Sequence, residues 1–171
     1  MQPRARPKQS RHVPEDSIKT NIRNIDLEVR NKALDLLARR EHATQEIRAK
    51  LIGRGLVPSI VDDILESLAA EGLLSDRRFA ENYIRARKDR GYGPLRIRAE
   101  LRQRGIDEDL ISRYIDPHDR AWAESIEAVR HKRFGDRMPG DDIKERARQT
   151  RFLQYRGFTG EQISRLFKHA E

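Results

Sequence analysis

The sequence predicts an all-α chain of three tandem three-helix units set in an elongated, curved row. Three observations predict it. From Leu27 onward apolar residues recur three and four positions apart, the period of a helix with one buried face. β-branched residues nowhere alternate with polar ones over four or more positions, so no strand is expected. One pattern also occurs three times around a glycine: Arg54-Gly55-Leu56, Arg104-Gly105-Ile106 and Arg156-Gly157-Phe158, at separations of 50 and 52 residues. Around each glycine the apolar positions match. Leu51, Leu101 and Leu153 stand four before it, and Val61, Ile111 and Ile163 six after. Ile64, Tyr114 and Leu166 follow at nine, Leu65, Ile115 and Phe167 at ten. A helix ending in a left-handed residue accounts for the glycine, because only glycine adopts that conformation cheaply.

Residues 1–26 hold three prolines and no sustained apolar period, and are expected to form a disordered basic arm. The first unit, 27–74, draws its core from Val29, Ala33, Leu34, Leu36 and Leu37, then Ile47, Leu51 and Ile52, then Ile60 through Leu68. Pro58 suits the first turn of its third helix. The second unit, 75–116, opens with Ser75 or Asp76 as helix cap and carries Phe79, Tyr83 and Ile84 inward. Gly91 and Gly93 turn the chain, Pro94 starts the next helix, and Asp107 caps the third. In the third unit, 117–171, Trp122, Ile126 and Val129 form a core face. A loop is expected around 134–140, and Thr159 with Gln162 makes a capping box.

Only 36% of residues are apolar and mean hydropathy is −0.88, which suits a row of stacked units better than one thick globule. No apolar run approaches the roughly 18 residues of a membrane span, and no secretory signal is evident, so the cytoplasm is the expected compartment. Zero cysteines exclude disulfides, thiolate metal sites and a cysteine nucleophile. The histidines, His12, His42, His118, His131 and His169, are scattered without metal-ligand spacing. Asp62-Asp63 and Asp141-Asp142 fit first helical turns, where acids complement the macrodipole. Gly91-Tyr92-Gly93 lacks the Lys-Ser/Thr of a phosphate-binding loop. No catalytic centre, metal or cofactor is expected.

Thirty-six Lys and Arg against 28 Asp and Glu give +8 and a pI near 10.1, a balance that attracts polyanions, nucleic acid first. The charge is blocked along the chain: +4 over 1–12, −4 over 41–76, +7 over 77–104, −4 over 105–143 and +5 over 144–169. The candidates for binding a filament or DNA are Arg77, Arg78, Arg85, Arg87, Lys88, Arg90, Arg96, Arg98 and Arg102, with Tyr92 as a turn aromatic open to stacking. Arginine rows favour bidentate contact with phosphate or carboxylate. The competing reading is pairing within the chain, to Glu81, Asp89 and Glu100 or to the acidic third helix of the first unit. Arg54, Arg104 and Arg156 are read as helix-end residues. Phe79, Trp122, Phe134, Phe152, Phe158 and Phe167 are read as core. No recognition helix can be placed, so contacts with nucleic acid are expected at backbone phosphates, without sequence specificity.

The stretch Glu71-Gly72-Leu73-Leu74-Ser75-Asp76-Arg77-Arg78-Phe79-Ala80-Glu81-Asn82-Tyr83-Ile84-Arg85, followed by Arg90-Gly91-Tyr92-Gly93-Pro94-Leu95-Arg96-Ile97, resembles the RecX family of bacterial regulators. The resemblance covers roughly 28–171 and is most specific over 71–105. It implies a non-enzymatic regulator that binds the RecA recombinase and lies along the groove of its nucleoprotein filament. It further implies inhibition of strand exchange, ATP hydrolysis and co-protease activity, and so a role in recombinational DNA repair and the SOS response. A monomer is expected, with no catalytic residues to carry over.

Overall fold

The computed structural model of the protein describes residues 15–168, and these form nine helices with no strand among them. The first unit comprises α1 (Glu15–Leu37), α2 (Thr44–Ile52) and α3 (Pro58–Ala70). The second comprises α4 (Asp76–Asp89), α5 (Pro94–Gln103) and α6 (Glu108–Tyr114), the third α7 (Trp122–Phe134), α8 (Ile143–Arg156) and α9 (Gly160–Lys168). Each helix packs chiefly on the other two of its own unit.

Local chemistry explains the boundaries. Ser75 Oγ accepts the Arg78 N–H at the start of α4, and Asp107 accepts the Asp109 N–H at 2.8 Å before α6. Thr159 and Gln162 close a reciprocal capping box at α9, at 2.8 and 3.1 Å. Pro58 and Pro94 occupy first turns. Gly55, Gly105 and Gly157 all have positive φ, at 85°, 76° and 94°.

The arm differs from the expectation. Helix α1 begins at Glu15, so 15–26 are helical rather than disordered, while residues 1–14 of the expected arm lie outside the described residues. Residues 15–26 hold no proline or glycine to break a helix, although only Glu15, Lys19 and Arg23 are strong helix formers. An apolar period does run through this stretch, Ile18, Ile22, Ile25 and Val29 at steps of four, three and four, and it is the signal that the expectation of disorder overlooks.

The core divides in two. Val29, Ala33, Leu36, Ile47, Leu51, Val61, Leu65, Leu68 and Leu74 close the first unit. The second and third units share one continuous core, in which Ile97 and Leu101 of α5 join Trp122, Ile126, Leu153 and Phe158. Ala43, just ahead of α2, is the buried residue that the first unit contributes to it.

The joint between the second and third units is made by backbone. The Gly93 N–H donates to the Arg156 carbonyl at 2.8 Å, and the Leu95 N–H to the Gly157 carbonyl at 3.0 Å. The first N–H groups of α5 and the last carbonyls of α8 have no partners inside their own helices, so each end satisfies the other. A side chain at Gly93 would not fit: its Cβ would stand 2.5 Å from the carbonyl carbon and oxygen of Gly157.

Candidate nucleic-acid interface

Placed in the fold, the ten sequence candidates separate. Arg78 is bound into the joint between the first two units, its Nε on Glu41 at 2.8 Å and its other nitrogens on the carbonyls of Gly72 and Leu73 at 2.7 and 3.1 Å. Arg98 donates to the Ile115 carbonyl at 2.7 Å and pairs with Glu108, which also holds Arg102 at 2.6 Å. Arg77 pairs with Glu81 at 3.1 Å. Arg87 and Arg96 converge on Glu100, at 2.8 and 3.1 Å. Their guanidinium groups, with those of Arg104 and Arg156, alternate with tyrosines. Arg104 lies 4.6 Å from the Tyr83 ring centre, and Arg87, Arg96 and Arg156 lie within 5.3 Å of Tyr92. Tyr92 is therefore half-buried and wrapped by cations, not an open stacking surface.

The pairing alternative thus holds for most of the row, partly through the four-residue spacings of Arg77 with Glu81 and Arg96 with Glu100 and partly through partners distant in sequence. No arginine of 77–104 pairs with α3 among the described residues; the acids used are Glu41, Glu81, Glu100 and Glu108. Such contacts lower the pKa of Glu81, Glu100 and Glu108. Tyr114 and Arg77 hydrogen bonds lower Glu81, and Arg102 lowers Glu108. Glu100 also lies below its ordinary value, with burial opposing the shift and hydrogen bonds from Tyr83 and Arg96 driving it. Three candidates form no salt bridge among the described residues: Arg85, which donates to Asn82 and whose charge helps to lower Glu81; Lys88, over the Trp122 ring at 4.3 Å; and Arg90. Of the helix-end residues, Arg104 donates to the Glu100 carbonyl and Arg156 to the Arg90 carbonyl, while Arg54 is exposed.

Lys88 and Arg90 do not stand alone. They line one wall of a groove of about 480 Å³ at the joint of the second and third units. The opposite wall brings Lys132 and Arg133 from the end of α7 and Arg156 from α8. Five cations face one acid, Asp89. The end of α7 escaped the sequence reading because 105–143 is net acidic. Its acids lie elsewhere along the stretch, and Lys132-Arg133 is a local basic pair at a helix C-terminus. Also missed was Arg130, which is 3% exposed and donates to the carbonyls of Gly135 and Arg137. It shapes the 135–140 loop. Phe134 and Phe152 are half-buried and meet edge to face at 5.3 Å, whereas Phe79, Trp122, Phe158 and Phe167 are core as expected.

Among the described residues no group of three or more His, Cys, Asp or Glu is placed to hold a metal ion, and no helix is long and apolar enough to cross a membrane. The first, second and third three-helix domains of RecX match residues 30–68, 75–114 and 123–167. The chain belongs to the RecX family. Regulatory protein RecX of Halorhodospira halophila is 48% identical over 135 residues, covering 79% of this chain and 83% of that protein. Regulatory protein RecX of Pseudomonas entomophila is 47% identical over 138 residues, 81% and 88% of the two chains. The crystal structure of RecX from Lactobacillus salivarius superposes with a TM-score of 0.73 at 19% identity, covering 85% of this chain and 96% of that one. A crystal structure of a regulatory protein RecX gives 0.75 at 22% identity, covering 91% and 79%. RecX relatives are thus regulatory proteins by name, and their fold is this three-unit helical one.

Proposed function

We propose that this protein binds the RecA recombinase and its nucleoprotein filament in the cytoplasm and inhibits strand exchange, ATP hydrolysis and co-protease activity. In this way it modulates recombinational repair and the SOS response. It acts as a monomer, without cofactor or catalysis. The observation that carries the reading, beside family membership, is the cationic groove at the joint of the second and third units. Lys88, Arg90 and Lys132 have no carboxylate partner among the described residues and all three are exposed, Lys88 with its ammonium over the Trp122 ring. Such a groove meets backbone phosphates or an acidic protein surface without regard to base sequence. Three units in a row allow contacts with successive recombinase subunits, and each contact raises the effective concentration for the next.

The test is single-stranded-DNA-dependent ATP hydrolysis by RecA with this protein titrated at sub-stoichiometric levels. The double variant Arg90→Glu, Lys132→Glu keeps every side-chain contact described above, so its fold survives. It is expected to need at least about tenfold more protein for the same inhibition, by analogy with charge reversal at an electrostatic interface. Unchanged inhibition would overturn the groove as the contact surface. Inhibition only at concentrations that coat the DNA would favour a plain DNA-binding protein.

A further inference from the structure

Tyr155 is three-quarters exposed, on the last turn of α8. One face of its ring is covered by the Arg96 guanidinium, 5.2 Å from the ring centre, and that arginine also donates to the Tyr155 carbonyl at 3.3 Å. No other ring packs against it among the described residues. Lys144, Arg148, Arg151 and Tyr155 follow one another at intervals of four, three and four residues, so they form one stripe along α8, and all four are exposed. From Lys144 to Tyr155 the stripe runs about 16 Å at ~1.5 Å per residue. Arg148 is held by Glu145 at 2.9 Å and lies over the Phe134 ring. Lys144 and Arg151 have no carboxylate partner among the described residues. Phe152 and Arg156, which line the groove described above, sit one position further round the helix, so the stripe is a separate face.

We propose that this face of α8 is a track for single-stranded nucleic acid: Lys144, Arg148 and Arg151 follow the backbone phosphates, and one base stacks on the open face of Tyr155. An aromatic ring at the end of a cationic row is the arrangement that binds single strands without sequence preference, because every base offers a π face whereas duplex bases are already stacked. The surroundings decide for nucleic acid over an apolar protein partner. The residues beside Tyr155 along the stripe are cations, and the ring's covered side is itself cationic. The stripe adds single-strand preference to the phosphate contacts expected of the groove, and does not depend on the groove being correct.

The test needs no recombinase. Binding of the full chain is measured by fluorescence anisotropy on a short oligothymidylate, on an abasic strand of the same length, and on duplex. Tyr155→Ala is expected to bind oligothymidylate about tenfold more weakly, the effect of losing one stacked base, while its affinity for the abasic strand and the duplex is unchanged. The variant loses the side-chain contact between Tyr155 and Arg96 but keeps the Arg96 bond to the backbone carbonyl of residue 155, and an unchanged thermal melt verifies the fold. Tyr155→Trp is expected to retain binding, with its indole emission quenched by oligothymidylate. Lys144→Gln with Arg151→Gln weakens all strands and flattens the logarithmic salt dependence on single strands by roughly 1.4. Unchanged oligothymidylate binding by Tyr155→Ala, or an equal loss on the abasic strand, would overturn the proposal. Neither result touches the groove, which is read through ATP hydrolysis.

Discussion

The two joints of this protein are built to one plan and bonded in different ways. In each, the glycine that ends the middle helix of one unit receives the start of the middle helix of the unit before it. Gly157 receives α5 and Gly105 receives α2. At the second joint the start of α5 donates two backbone hydrogen bonds to the end of α8, and a single core runs through. At the first, the atoms nearest to a Cβ on Gly105 belong to the Gln45 side chain, and the work passes to charged groups. The Asp76 carboxylate accepts the Thr44 N–H at 2.7 Å, capping α2 from the neighbouring unit, and Arg78 reaches Glu41. The difference teaches what a repeat can conserve. The glycine preserves the approach of two helices, whereas the bonds across it are set unit by unit.

The largest break is expected at the second joint. Gly93→Ala drives a methyl group into the Gly157 backbone, which cannot rotate aside as a side chain can, and should cost about 3 kcal/mol. Gly105→Ala carries the strain of a positive φ, and its obstacle is side chain rather than backbone: the Gln45 Cγ at 2.5 Å, which can turn aside, and the Gln45 Cβ at 2.8 Å, which moves only with α2. About 1–2 kcal/mol is expected for it. Urea denaturation of the pair measures the contrast, and equal losses would show that the two joints are equivalent.

Asp76→Ala sharpens the comparison from the other side. Loss of a cap typically costs about 1 kcal/mol, and here it exposes a backbone donor of the first unit through a change in the second. Hydrogen exchange should quicken at the Thr44 amide and leave Gly93 and Leu95 protected. Slow exchange at Thr44 in the variant would mean that another group caps α2.

The smallest effect is expected in acid, within the first unit. Glu46 lies against Arg40 at 2.5 Å and Lys50 at 3.0 Å, and these cations hold its carboxyl at about 2, against the desolvation that would raise it. A carboxyl depressed on folding contributes stability that is fully present above its unfolded value near 4.5 and is lost as pH falls toward about 2. Glu46→Gln should therefore be less stable than the parent by about 1 kcal/mol at neutral pH, with the gap closing across that window. A gap independent of pH would assign the loss to packing.

Much of this fold is legible because its signals are local. Ser75, Asp107, and Thr159 with Gln162 cap the helices that their spacing predicts, and the three repeat glycines take the left-handed conformation. The arginine row is different. Arg78 finds Glu41 across 37 residues of sequence, and Glu108 collects Arg98 and Arg102 from another helix, so no short-range pattern marks them as occupied. Tyr92 sits in a turn as expected, yet cations from three helices close over it. Lys132 and Arg133 lay hidden in an acidic stretch. Tyr155 stands beside the inward Phe152 and Leu153, and only the fold shows which way it faces.

The end-to-end meeting of α8 and α5 has a consequence for how the chain is made. A ribosome releases the units in order, but α5 finds its backbone partners only in the residues around Gly157, near the end. The core of the second unit likewise waits for Leu153 and Phe158. The first unit has a core of its own and can close while the rest is still being translated. The second unit cannot complete its core that way, and a nascent chain stalled before Gly157 would hold Gly93 and Leu95 as open donors beside an unfinished apolar face. Interrupted synthesis therefore exposes the middle of this protein more than its beginning.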